Sequence, residues 1–157
     1  MKLNLFFLKS IVYGVALVFA LVGFLLYIQL STNKSPLNFN WQTILFLVAI
    51  YLGLLFGIII SFLMIKLLTN ISLNQTFSSS TQHVLSRIRQ FIGLIAISSL
   101  AILPKFLQVA DADDAPGLML LGLSIVFLPF AGLMLMNIFI QILEEAVRLK
   151  KDDELTV

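Results

Sequence analysis

Few residues in this sequence have the types and the spacing that chemistry requires. The one histidine, His83, has no carboxylate or second imidazole close to it in sequence, whereas a metal site needs several such ligands. Asp111, Asp113 and Asp114 form an acidic segment, but a calcium loop needs a regular ligand series that ends in Glu. The chain has no G-x-S-x-G motif and no cysteine. We therefore predict no catalytic residue, no metal site and no cofactor.

Two amides stand out among the apolar residues of the C-terminal half. Asn137 and Gln141 are four residues apart, which places them one turn apart on a helix. They predict either a polar patch at a ligand or partner site, or an interhelical hydrogen-bond clamp worth about 0.6 kcal/mol per bond. The clamp is favoured, because amide side chains often hold membrane helices together.

Small residues recur at helical spacing in the segment GLLFGIIIS. Gly53, Gly57 and Ser61 are four residues apart in turn, and small residues at this spacing let two helix backbones approach closely. The pattern predicts a packing face. Packing within one chain and packing between two copies both remain open, so a homo-oligomer is one of the predicted alternatives.

The composition indicates the surroundings in which these residues lie. Of 157 residues, 60% are hydrophobic and 11% are charged, whereas soluble domains have about 45–50% apolar and about 25% charged residues. A chain of this length could not bury so many apolar side chains in a soluble core. The composition excludes a soluble enzyme and a disordered chain, and it indicates an integral membrane protein in contact with the lipid bilayer. A net charge of +2 is too small to imply direct binding of nucleic acid.

Four apolar stretches are candidates for membrane-spanning helices. A span needs about 20 apolar residues to cross about 30 Å of hydrocarbon. Pro104 and Lys105 interrupt the third stretch, which predicts a tilted or proline-bent span, with a re-entrant or interfacial segment as the alternative. The predicted spans are residues 11–30, 44–65, 91–110 and 117–143.

The positions of the basic residues predict the orientation of these spans. With four spans and a cytoplasmic N-terminus, eight of the ten Lys and Arg residues lie on the cytoplasmic side, as the positive-inside rule requires. Three spans would reduce the split to six against four. We therefore predict an all-α, integral membrane four-helix bundle as a single domain, with both termini in the cytoplasm and residues 144–157 as a cytoplasmic tail. The eight residues are Lys2, Lys9, Lys66, Arg87, Arg89, Arg148, Lys150 and Lys151.

Two stretches resemble a known family. The end of the chain, ILEEAVRLKKDDELTV, is similar to the C-terminal signature of a bacterial membrane family catalogued as domain of unknown function 2975, an acidic run followed by Leu-Thr and Val or Ile. The segment NQTFSSSTQHVLSRIRQFIG resembles that family's Phe-Ser element and the basic helix that follows it. The family commonly has Gly and Pro before this Phe, where this chain has Asn74, Gln75 and Thr76. The matching residues are Phe77, Ser78, Arg87 and Gly93 in the second stretch, and Asp153, Glu154, Leu155, Thr156 and Val157 in the first.

The resemblance implies a multi-pass protein of the bacterial inner membrane with unassigned biochemistry. Such families often occur beside small helix-turn-helix regulators, which implies a cytosolic regulatory protein as partner. Our leading hypothesis is a non-enzymatic scaffold or signalling partner, because both matching stretches fall on the predicted cytoplasmic side. Contact with anionic lipid headgroups is an alternative role for the two arginines. The predicted docking residues are Phe77, Ser78, Arg87, Arg89, Leu155, Thr156 and Val157.

A small oligomeric transport or efflux component is the alternative function. Its pathway would lie between subunits and would need polar side chains that face a shared cavity. Ser124, Asn137 and Gln141 are the candidates. No Asp, Glu, Lys, Arg or His lies in the middle of a predicted span, although proton relays and coupled transporters usually need such residues.

Overall fold

The computed structural model describes residues 2–32, 40–72 and 79–155, with side chains over residues 6–32, 40–72 and 80–149. The regular structure in these ranges is helical, with no strand. The order is α1 (Lys2–Thr32), α2 (Trp41–Ser72), α3 (Ser79–Ser99), a 3₁₀ turn (Leu100–Ile102), α4 (Leu103–Ala112) and α5 (Pro116–Leu155).

Four helical segments of the described chain are long and apolar enough to cross a membrane: Phe6–Thr32, Trp41–Ser72, Ser80–Ala112 and Pro116–Leu149. The prediction of an all-α, four-helix membrane protein is confirmed. The interrupted third stretch is helical along its whole length, because the 3₁₀ turn joins α3 to α4 without a loop. Pro104 lies in the first turn of α4. In a regular α-helix its missing N–H would have left the Leu100 carbonyl without a donor, but in the 3₁₀ turn that carbonyl accepts from the Leu103 N–H.

The acidic segment between α4 and α5 forms a tight reversal of the chain. Asp114 has φ 51°, a left-handed conformation that Asp tolerates better than most residues. The Ala115 N–H then donates to the Ala110 carbonyl at 3.0 Å, the bond that closes the end of a helix at a left-handed residue. Pro116 begins the next helix with its φ already suited to it. The long helical segment Ser80–Ala112 is thereby connected to α5 with few intervening residues.

The helices pack unequally around α2. Helix α2 contacts α1, α3 and α4, while α3 and α4 also contact α5. Helix α1 packs chiefly against α2. None of its described side chains is buried within the chain, so its apolar surface is available to the bilayer.

The tightest packing lies at one end of the bundle, where α2 ends and α3 begins. Leu67 of α2 and Val84, Leu85 and Ile88 of α3 form a buried cluster, which we call the end core. Leu85 and Ile88 are each 2% exposed. Because lipid is as apolar as leucine, such packing in a membrane protein reflects close van der Waals fit rather than escape from water. Partly buried side chains around the end core are Ile60, Leu63, Met64, Ile71, Ile92, Met136, Ile140 and Leu143.

Candidate functional site

A hydrogen bond joins the end of α2 to the start of α3. The Asn70 amide donates from Nδ2 to Ser80 Oγ at 3.3 Å, and Asn70 is 9% exposed. Thr81, the next residue on α3, is 1% exposed. The Asn70–Ser80 bond connects the start of α3 to the end of α2 beside the end core. The sequence interpretation missed Asn70 and Thr81, because neither belongs to a motif.

The two arginines of α3 lie on different sides of that helix. Arg87 lines a cleft between α2 and α3, whereas Arg89 lines a groove with residues of α5. A separation of two residues along an α-helix corresponds to a rotation of about 200° around its axis. Both arginines are exposed. The two arginines of the docking set predicted from sequence therefore belong to two separate surfaces.

The first surface, the α3–α5 groove, has mixed charge. It encloses about 70 Å³, enough room for part of one side chain. Arg89 and Glu144 are its charged lining residues. Its apolar lining residues, Leu85, Ile140 and Leu143, also belong to the end core or pack against it. Because this core packs tightly, the walls of the groove are held in place. The lining residues are Gln82, Leu85, Ser86, Arg89, Ile140, Leu143 and Glu144.

The second surface, the α2–α3 cleft, is basic. It encloses about 130 Å³ and is lined by Leu63, Lys66, Ser80, His83, Val84 and Arg87. Lys66 and Arg87 are its charged residues, and no carboxylate is among the described side chains that line it. Its cationic groups come from two helices. Among the side chains that the structure describes, no three His, Asp or Glu residues gather as metal ligands.

A polar belt formed by Lys105, Thr43 and Gln108 lies near the opposite end of the bundle from the α2–α3 cleft. Lys105 donates from Nζ to Thr43 Oγ1 and to Gln108 Oε1, both at 3.1 Å. Thr43 and Lys66 are 23 residues apart on α2, about 34 Å along a helix. Arg87 and Lys105 are 18 residues apart, about 27 Å along a helix. Both separations are close to the thickness of the hydrocarbon core of a bilayer, so the basic cleft and the Lys105 belt match two opposite interfaces.

The small residues of α2 have different surroundings. Gly57 is buried under the ring of Phe19 of α1, and a Cβ atom on Gly57 would be 2.9 Å from Phe19 Cε2. Ser61 is buried and donates from Oγ to the Gly57 carbonyl at 2.9 Å. A Cβ atom on Gly53 would meet no atom within 4 Å. Gly57 thus lies at a contact between helices of one chain, and Gly53 lies beside an open space. The homodimer alternative stays a prediction.

That open space is a lateral cavity of about 290 Å³ between α2, α3, the 3₁₀ turn and α5. Its walls are mainly apolar, with Ser98 and Ser99 as the hydroxyl groups. Ser98 Oγ donates to the Ile95 carbonyl at 3.0 Å, and Ser99 Oγ donates to the Ala96 carbonyl at 2.7 Å. Both hydroxyl protons are thus used by carbonyls of the same helix.

The predicted polar candidates of α5 do not form one polar face. Ser124 and Gln141 are exposed and Asn137 is half-buried. Ser124 Oγ donates to the Leu120 carbonyl of its own helix at 2.8 Å. Ser124 and Asn137 are 13 residues apart, a rotation of about 140° on a regular helix. Within the described part of the chain, neither amide forms the interhelical hydrogen bond predicted for the clamp.

Several predicted docking residues lie outside the described part of the chain. These are Phe77 and Ser78, between α2 and α3, and Thr156 and Val157, after α5. Leu155 is the last residue of α5, and its side chain is not among those described. The two stretches that carried the family resemblance are thus described only in part.

The fold, with the basic cleft near one end of the bundle and the Lys105 belt near the other, defines an all-helical, multi-pass membrane protein. The chain belongs to the family described as protein of unknown function (DUF2975), which it matches over residues 5–157. The family predicted from the sequence is confirmed. The chain is 34% identical over 92 residues to the uncharacterized membrane protein YoaS of Bacillus subtilis (strain 168). The match covers 59% of this chain and spans 58% of the length of that relative. No solved structure matches the chain.

Proposed function

We propose that this chain is a non-enzymatic protein of the bacterial inner membrane that docks a cytosolic protein at the α3–α5 groove. Both termini are in the cytoplasm, as the positive-inside rule favours. The observation that carries the proposal is the groove itself. It combines an arginine, a glutamate and neutral polar side chains in one concavity, and this concavity lies on the rigid end core.

The length of α5 supports a docking surface outside the lipid. Helix α5 has 40 residues, about 60 Å at 1.5 Å per residue, whereas a bilayer with its headgroups is about 40–45 Å thick. Glu144 is 28 residues after Pro116, about 42 Å along the helix. A helix that starts at the outer interface therefore brings Glu144 to the opposite aqueous boundary, where a soluble protein can reach it.

The charges of the groove indicate the chemistry of the partner. Arg89 offers a planar, bidentate donor for a carboxylate, and Glu144 accepts from a basic residue. A complementary partner would insert an apolar or amide side chain into the groove. On either side of it, an acidic side chain would pair with Arg89 and a basic one with Glu144. Complementary charges of this kind give specificity and fast association more than raw affinity.

The family resemblance suggests a small helix-turn-helix regulator as this partner. In that arrangement the membrane protein is a scaffold or signalling partner that holds a transcription factor at the membrane or releases it. The tail from Lys150 to Val157 would extend the docking surface beyond the groove. Its run of two lysines, two aspartates and one glutamate has the same mixed character as the groove.

Purification of the full chain from its native membrane tests the proposal. The tag is placed on the N-terminus and a mild detergent is used, so that Val157 stays free. We expect one stoichiometric cytosolic protein with the wild-type chain. Arg89→Glu should reduce its recovery about tenfold, equivalent to about 1.4 kcal/mol. Deletion of residues 155–157 should also reduce it if the tail takes part.

Glu145→Lys is the matched control for the groove. Glu145 is exposed and adjacent to Glu144, but it does not line the groove, so recovery should stay within twofold of wild type. The opposite variant, Glu144→Lys, should behave like Arg89→Glu. If Arg89→Glu, Glu144→Lys and the deletion all leave the co-purifying proteins unchanged, the docking proposal is wrong.

A small oligomeric transport component remains the second candidate function. The lateral cavity of about 290 Å³ is the feature that favours it, because a second subunit could close the open side. The hydroxyl groups in that cavity donate to their own helix, so the cavity offers a solute little hydrogen bonding. Purification of the chain alone, as a homo-oligomer with solute flux in proteoliposomes, would favour this function over docking.

A further inference from the structure

We propose that the α2–α3 cleft binds the phosphate group of an anionic phospholipid headgroup. The site consists of Lys66 on α2 and Ser80, His83 and Arg87 on α3, around the apolar side chains of Leu63 and Val84. It is independent of the protein docking proposed above, because it lies on a different side of α3 from Arg89.

The arrangement of charge supports an anion. Lys66 and Arg87 are brought to one cleft of about 130 Å³, and its described lining residues include no carboxylate. Two like charges that line one cleft repel each other, and a bound anion reduces that repulsion. Lysine acts as a mobile point charge and arginine as a fixed fork of donors, and the two together suit the oxygens of a phosphate group.

The start of α3 contributes to the same site. Ser80 is the second residue of this 21-residue helix, so the cleft lies at the N-terminal end of α3. The positive end of the helix dipole favours an anion at the same place. The Ser80 hydroxyl accepts from the Asn70 amide, and a hydroxyl that accepts one hydrogen bond can also donate its proton, here to a phosphate oxygen.

The depth of the cleft favours a lipid as the source of the phosphate. Lys66 lies about 34 Å along α2 from Thr43, and Thr43 bonds to Lys105 at the opposite belt. The cleft is thus about one hydrocarbon thickness away from the other interface, at headgroup depth. Leu63, which is half-buried at the cleft, provides an apolar contact for the first acyl carbons. Basic pockets between membrane helices on the cytoplasmic side are known to bind anionic headgroups.

The test compares lipids on the purified full chain in a non-ionic detergent. Short-chain phosphatidylglycerol, phosphatidylcholine and inorganic phosphate are titrated separately, and bound ligand is counted by native mass spectrometry. We expect phosphatidylglycerol to bind at least tenfold more tightly than phosphatidylcholine. Inorganic phosphate at equal concentration should bind weakly. Equal binding of inorganic phosphate would identify free phosphate as the ligand and overturn the lipid assignment.

Variants locate the site. Lys66→Gln combined with Arg87→Gln should weaken the binding of phosphatidylglycerol roughly tenfold to thirtyfold, since each basic residue near a membrane surface contributes about 1 kcal/mol. Lys66→Arg combined with Arg87→Lys keeps both charges and should retain most of the affinity. Arg89→Gln removes one charge from the other side of the same helix and should change the affinity by less than twofold.

The outcomes separate this proposal from the docking proposal. If the double Gln variant binds phosphatidylglycerol as tightly as wild type, the lipid site is wrong, whatever happens at the groove. Equal loss in Arg89→Gln would also overturn it, because binding would then follow total charge rather than this cleft. The preference of the wild-type chain for phosphatidylglycerol over phosphatidylcholine tests the proposal even if the double Gln variant does not fold.

Discussion

The ring of Phe19 covers Gly57. A Cβ atom on Gly57 would lie 2.9 Å from Phe19 Cε2 and 3.1 Å from Phe19 Cδ2, both closer than ordinary van der Waals contact. The absence of a side chain at this position lets α1 approach α2 closely. Because α1 packs chiefly against α2, this contact is important for holding α1 against the rest of the bundle.

Substitution of Gly57 by alanine should therefore weaken the contact between α1 and α2. The added methyl group must displace the far end of the Phe19 ring, and we expect a cost of about 1 kcal/mol, at the low end for overpacking. Reversible unfolding in mixed micelles measures it. Gly53→Ala is the matched control, because a Cβ atom there meets nothing within 4 Å. An equal effect of the two substitutions would contradict the assigned role of Phe19.

Gly122 should tolerate a methyl group less well than Gly57. Its added Cβ atom would be 2.7 Å from Phe106 Cγ and 2.9 Å from Phe106 Cβ. These atoms are close to the main chain and cannot swing away, so Gly122→Ala should destabilise the chain by about 2–3 kcal/mol. Gly132→Ala, with open space at the same helix, should be nearly neutral. The same unfolding assay gives the order of the variants, and a smaller loss for Gly122 than for Gly57 would refute the argument.

The hydrogen bond between Lys105 and Thr43 should be visible as an energetic coupling. A double-mutant cycle with Lys105→Met and Thr43→Val removes each partner separately and then both. We expect a coupling of about 0.6 kcal/mol, the average for hydrogen bonds between membrane helices. Thr69→Val is a suitable control partner, because Thr69 donates to the Ile65 carbonyl of its own helix. Additive effects of Lys105→Met and Thr43→Val would show that the bond contributes nothing.

The orientation of the bundle can be tested by labelling single cysteines. The chain has no cysteine, so each introduced thiol is the only reactive one. We expect Asp113→Cys to react with a membrane-impermeant maleimide in intact cells, and Glu145→Cys to react only after permeabilisation. Both positions are exposed. The reverse pattern would invert the orientation and place the α3–α5 groove outside the cytoplasm.

The sequence predicted the fold class and the number of apolar helices, because hydropathy in lipid leaves few alternatives for a long apolar segment. The sequence left open whether the third apolar stretch, interrupted at Pro104 and Lys105, forms a bent span or a re-entrant segment. A proline in the first turn of α4 is compatible with a continuous helical path, and Lys105 finds oxygen acceptors at Thr43 and Gln108.

The division of Arg87 and Arg89 between two surfaces was missed, although helical periodicity contains the signal. The two residues were grouped because they are close in sequence, whereas a rotation of about 200° separates them on a helix. Lys66 lines the same cleft as Arg87, and Glu144 lines the same groove as Arg89. Both come from other helices, so the composition of each surface depended on tertiary packing. The Asn70–Ser80 bond was equally inaccessible, because it spans the segment between two helices.

The concentration of tight packing at one end has a mechanical consequence. Helix α5 shares the end core with α2 and α3, whereas α1 contributes no buried side chain to it. A pulling force on the N-terminus would load the α1–α2 contact and peel α1 away while the end core stays intact. The same force on the C-terminus would act directly on the core. The N-terminal attachment is therefore mechanically weaker than the C-terminal one. A tether at the C-terminal tail would transmit force to the rest of the bundle.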